Sequence, residues 1–196
     1  MMQRKIGFHW LSFDNISVFD KPGRFGIKGY GHEGYQSIAS SQLVSLIVTD
    51  LENTAGDVMG LVETIEARVA GAPGPPNLMS GMDGSVYLAN GVVLVNSDVV
   101  EEYAVLLTSD SLMKVLRGVH AVFTSPDYRN PDASFDDVHY EVLAEGEAAF
   151  DGYVERGGTY TSWQFDPKKC TFVYEGMPDD MVYPHPIPQG FKDLCE

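Results

Sequence analysis

The chain has 196 residues, 44% hydrophobic and 21% charged, and its 28 acidic against 13 basic residues give a formal net charge of -15. That length suits one domain, burying roughly 70% of the surface its unfolded form exposes. The charge repels phosphate backbones and anionic bilayers, which argues against direct nucleic-acid binding and against a membrane-surface role.

Aromatic and apolar residues over 6–13 predict a first strand, and 16–19 a second, reached through the Asp14-Asn15 turn pair. After the turn Lys21-Pro22-Gly23, the Gly/Tyr-rich stretch 26–35 reads as a loop between strands. A β-branched run predicts a strand over 43–49. Thr54, with Asp57 three residues on, caps a helix whose apolar stripe is Val58, Leu61, Val62, Ile65 and Val69. Gly71 and the Pro-Gly-Pro-Pro run at 73–76 end it and open a loop to about Met82. Asn90-Gly91 between two apolar runs, 86–88 and 92–95, is a strong hairpin signal.

Asp98 with Glu101 predicts a capped helix striped by Val99, Val100, Tyr103, Leu106 and Leu107. Ser109 or Asp110 caps the next helix, with Leu112, Val115, Leu116, Val119, Val122 and Phe123 inward and Pro126 closing it. The longest predicted helix covers 135–156 and stops at Gly157-Gly158. Asp166-Pro167-Lys168-Lys169 turns a second hairpin between 160–165 and 170–174. Four prolines mark 177–196 as an extended C-terminal segment. The expected fold is α+β in one domain over 1–176, with a Pro-rich extension over 177–196. It is a mostly antiparallel sheet built from hairpins, with about four helices packed on it.

Chemical motifs are scarce. The glycines of 23–34 match neither a P-loop nor a dinucleotide fingerprint, so they read as turn residues. His9, His32, His120, His139 and His185 have no metal-ligand spacing, and no catalytic residue, metal or cofactor is implied. Cys170 and Cys195 fit no CxxC pattern and make no disulfide framework, and Cys170 reads as a buried, inert strand cysteine. The first apolar stretch, broken by His9, Ser12 and Asp14, is too polar for a signal sequence, and no run approaches the ~20 apolar residues of a membrane span. The expectation is a cytoplasmic protein in a reducing compartment. The pair of segments around Ser109 has a helix-turn-helix outline, but its second helix offers only Lys114 and Arg117, too few for DNA.

The acids are the most distinctive feature. Nine acids against two arginines lie between Asp127 and Arg156. On a helix over 135–156, Asp137, Glu141, Glu145, Glu147, Asp151 and Glu155 would share a face about 160° wide, with Asp132 and Asp136 at its rim. Such a face would dock a basic protein, so the first expectation is an inhibitor of the immunity-protein or anti-defence kind, neutralising a toxin or nuclease. The alternative is a small enzyme or ligand-binding domain with a polar site at Tyr30, His32, Glu33 and Tyr35.

Overall fold

The computed structural model describes residues 1–11, 24–30, 38–51, 54–81, 84–97, 103–184 and 186–195. The expected segment at 16–19, all of 31–37, and the expected helix start at 98–102, with Asp98, Val99, Val100 and Glu101, lie outside them. The chain forms strands β1 (Met2–Leu11), β2 (Arg24–Tyr30), β3 (Asn77–Ser80), β4 (Gly84–Ala89), β5 (Val92–Ser97), β6 (Ala104–Thr108), β7 (Val138–Val142), β8 (Ala144–Glu145), β9 (Gln164–Asp166) and β10 (Thr171–Val173). Its helices are α1 (Ile38–Ser45), which continues as a π-helical turn over Leu46–Asp50, then α2 (Ala55–Val69), α3 (Ser109–Phe123), α4 (Glu147–Glu155) and the one-turn α5 (Gln189–Lys192). The strands make a five-stranded sheet ordered β3-β4-β5-β6-β8, a three-stranded sheet ordered β2-β1-β7, and the β9-β10 hairpin, all paired antiparallel. This is the expected α+β domain.

Two layers of core flank the five-stranded sheet. Val86, Leu88, Val93, Val95, Val105 and Leu107 join one cluster with α1, α2, α3, β1 and β7. Their alternates Val92, Leu94, Ala104 and Leu106 pack under Ala149 and Tyr153 of α4. Period-two alternation therefore feeds both faces, which is why β5 and β6 read as continuous apolar runs.

Local chemistry explains the elements that match expectation. Asp57 N donates to Thr54 Oγ1 at 3.1 Å and fixes the start of α2. Asn90 and Gly91 both take positive φ, 46° and 78°, as the two-residue turn between β4 and β5 requires. Thr108 caps α3 through Ser111 N at 3.1 Å, one residue before the position expected.

Four expectations are corrected. Residues 43–49 are helical, because Ala39, Gln42, Leu43, Leu46, Ile47 and Leu51 recur at three and four and are buried; within the run Leu43, Leu46 and Ile47 face the core from α1 and its π turn, while Val48 is exposed. Leu106 and Leu107 belong to strand β6, so the helix-turn-helix outline dissolves into a strand followed by α3. Within the stretch read as a 26–35 loop, residues up to Tyr30 are in β2, paired along β1 from Leu11↔Arg24 to Lys5↔Tyr30.

The fourth correction bears on function. There is no single helix over 135–156: Val138–Val142 is a strand, Ala144–Glu145 a second, and only Glu147–Glu155 is helical. Val-His-Tyr-Glu-Val alternates, with Tyr140 and Val142 buried and His139 and Glu141 exposed. Gly146 then takes φ 63°, ψ -143°, a conformation that suits glycine and ends the strand immediately before α4. The 138–145 segment joins the two larger sheets, since β7 pairs with β1 and β8 with β6.

Candidate functional site

The residues expected to form one helical acidic row are distributed by these elements into three settings. Glu145, on β8, lies inside. Its carboxylate meets Arg4 at 3.1 Å and 3.3 Å and accepts from Ala39 N at 3.2 Å, with side-chain exposures of 11% for Arg4 and 16% for Glu145. This residue clamps β1, β8 and α1 together and is withdrawn from any docking face. Asp137 and Glu141 flank β1 partners: Asp137 pairs with Lys5 at 2.5 Å, and Glu141 accepts from Gln3 Nε2 at 2.8 Å. Asp132 and Asp136 are exposed in the segment before β7.

Glu147, Asp151 and Glu155 keep the helical spacing of four. All three are exposed on α4, whose opposite side buries Ala149, Gly152 and Tyr153 against the sheet. They span about 80° of arc along one side of a helix. Met2, Ile6, Tyr140 and Val142 enter the core with α1 to α3, so the alternate residues Gln3, Lys5, His139 and Glu141 face the other way. Leu143 and Ala144 pack in the α4 cluster. The acids of α4 lie on the side of that helix turned away from the five-stranded sheet, and Glu141 lies on the face of β7 turned away from the core shared with α1 to α3. Lys5 offsets Asp137. Arg156, at the end of α4, turns its guanidinium back to Gly152 O at 2.7 Å.

Of the alternative ligand site, Tyr30 ends β2 opposite Lys5, and His32, Glu33 and Tyr35 lie outside the described residues. Among the described residues, no group of three His, Cys, Asp or Glu side chains is placed to hold a metal ion, and no helix is long and apolar enough to cross a membrane.

An aromatic cluster beside α4 carries no sequence signature, because its rings come from segments far apart in the chain. Tyr153 is fully buried, and its ring centroid lies 6.4 Å from Tyr87 and 5.7 Å from Tyr160, with Phe150 6.2 Å from Tyr160. The Tyr153 hydroxyl donates to Thr159 O at 3.1 Å. Burial, then the neighbouring hydroxyls of Tyr160 and Tyr87, push its ionisation well above that of a free phenol. Tyr160 shifts the same way, chiefly by burial, with Tyr87 and Asp151 adding to it. Phenols that stay protonated in the fold but ionise when unfolded give a definite sign: the native state holds more protons above pH ~10, so stability falls as pH rises from there. Alkaline denaturation followed by circular dichroism should show this loss, and Tyr160→Phe should reduce it.

Tyr160 also borders an open cavity of about 610 Å³ with Thr159, Thr161, Gln164, Glu175 and Gly176. A second cleft, of about 390 Å³, runs along Gly56, Gly60 and Thr64 of α2 toward Leu78 and Met79.

Cys170 corrects the reading of a buried strand thiol. It sits exposed in the turn between β9 and β10, at φ 50°, and is disulfide-bonded to Cys195 with Cα atoms 5.1 Å apart. The pairing arises because the C-terminal segment folds back on the hairpin, and cysteine spacing alone carries no sign of that.

Compared with known proteins, the chain matches no family model, no curated protein and no solved structure.

Proposed function

We propose that the protein is an acidic docking domain that binds a basic protein, of the immunity or anti-defence kind, and neutralises it as a toxin or nuclease would be neutralised. The observation that carries the reading is the exposed row Glu147, Asp151 and Glu155 on α4, with Glu141 also exposed on β7. α4 is anchored by a buried tyrosine, so its carboxylates are held on a rigid element. A fixed set of like charges raises the rate of encounter with a basic surface and pairs with its Arg and Lys. Asp132 and Asp136 would form the rim. Asp137, neutralised by Lys5, contributes less, and Glu145 contributes nothing, because it is spent on Arg4. The net charge of -15 keeps nucleic acid itself out of this account. A cytoplasmic location belongs to the same proposal.

The test is charge reversal confined to α4, Glu147→Lys with Asp151→Lys and Glu155→Lys. Thermal stability should change little, since all three side chains are solvated. Association with the basic partner should slow at least tenfold, and the wild-type rate should fall steeply with added salt. An unchanged association rate would remove α4 from the interface.

A further inference from the structure

The C-terminal segment is attached lightly for its length. Phe191 lies 5.0 Å from Phe165 and 4.8 Å from Phe172 by ring centroids, and Tyr183 lies 5.1 Å from Trp163 and 4.7 Å from Phe172. Its backbone bonds are local: Met177 N donates to Tyr174 O, Met181 N to Pro178 O, and the amides of residues 191–195 donate within the last turns. Val182 and Leu194 stay exposed, so much of the segment's apolar surface is not used for packing. The one covalent tie is Cys170–Cys195, which spans 25 residues.

The turn that carries Cys170 suits exchange chemistry. Cys170 is exposed, in the left-handed region that non-glycine residues rarely occupy. Two exposed lysines, Lys168 and Lys169, precede it, their amides held by Asp166 Oδ1 at 3.0 Å and 3.3 Å. Ammonium groups beside a cysteine favour its thiolate, which makes it the better leaving group.

We propose that Cys170–Cys195 is a thiol–disulfide exchange site that latches the C-terminal segment, closed when oxidised and released by a dithiol reductant. The proposal is independent of the docking reading. One thiolate of the reductant attacks Cys195 Sγ, forming a mixed disulfide and expelling the Cys170 thiolate. The second thiolate of the reductant then attacks its own sulfur in that mixed disulfide and expels the Cys195 thiolate. The reductant leaves as its cyclic disulfide, two electrons poorer, and the protein holds two thiols. Non-covalent contacts, among them the ring contacts of Tyr183 and Phe191 and a hydroxyl–thioether contact from Tyr174 to Met181 at 3.4 Å, then hold the segment. Release uncovers Trp163, Phe165 and Phe172 and frees the chain next to Glu175 and Gly176, which border the 610 Å³ cavity.

The test uses the full chain equilibrated in mixtures of reduced and oxidised dithiothreitol of graded ratio, with thiols alkylated and counted by mass spectrometry, alongside limited chymotrypsin digestion. The expected result is conversion between disulfide and dithiol within that series. Cleavage after Phe191 should rise at least tenfold in the dithiol form, while the rest of the domain stays resistant. Cys170→Ser with Cys195→Ser should cut at the dithiol rate whatever the buffer; dithiothreitol reduction of the wild type is the parallel arm if that variant folds poorly. Two free thiols throughout the series, a disulfide that native protein will not exchange, or equal cleavage of both forms would each overturn the latch.

Discussion

Arg4→Ala is expected to destabilise the protein by about 3 kcal/mol, or very roughly 6–12 °C in midpoint for a chain of this size. The guanidinium meets Glu145 through two bonds, at 3.1 Å and 3.3 Å, and both side chains are largely withdrawn from water. Removing the cation leaves a carboxylate with, among the described residues, the Ala39 amide as its remaining partner in a low-dielectric setting. The damage would reach three elements at once, since the same carboxylate links β1, β8 and the start of α1. Replacing both partners by apolar residues, Arg4→Met with Glu145→Leu, should recover much of the loss, because the desolvation cost disappears together with the attraction. A double-mutant cycle in urea measures this. A coupling above ~1 kcal/mol is expected, whereas additive single losses would show that the two groups act separately.

Tyr153→Ala should be at least as damaging, at about 3–5 kcal/mol. The ring fills the space between α4 and the five-stranded sheet and is fully buried with Leu94, Ala104 and Leu106. The chain turns back tightly over it: a Cβ at Gly158 would come within 2.3 Å of the ring, so the gap left by truncation is bounded by close-packed backbone. Tyr153→Phe keeps the packing and loses the bond to Thr159 O, which should cost about 1 kcal/mol. It should also lessen the alkaline loss of stability. Chemical denaturation of both variants separates the two contributions.

Local signals were legible in the sequence where one physical cause dominated. The Thr54 cap and the Asn90-Gly91 turn depend on residues within a few positions of one another and stand where expected, and the turn expected at Asp166–Lys169 forms one residue later, between Asp166 and Thr171. Burial on two faces was harder to read. Ala104–Thr108 is apolar at every position before Thr108, and such a run fits a buried helix and a central strand equally well. The 135–156 segment misled for a subtler reason. Its carboxylates happen to recur near a helical period, while the buried alternation of Val138, Tyr140 and Val142 has period two and is only five residues long. The conformation of Gly146 decides between the two readings, and glycine alone does not announce it. Glu145 could not be told from Glu147 in the sequence, because its role depends on Arg4, 141 positions away. The Cys170–Cys195 bond is of the same kind: it depends on the C-terminal segment folding back through aromatic contacts that no spacing rule encodes.

The most direct test of the docking account is capture from the source lysate by the tagged wild-type protein and by the α4 triple-lysine variant, in parallel, at low and high salt, with quantitative mass spectrometry. The account predicts one basic protein held stoichiometrically by the wild type at low salt, released at high salt, and absent from the variant. Equal recovery of the same partner by both proteins, or a partner that salt does not release, would contradict it.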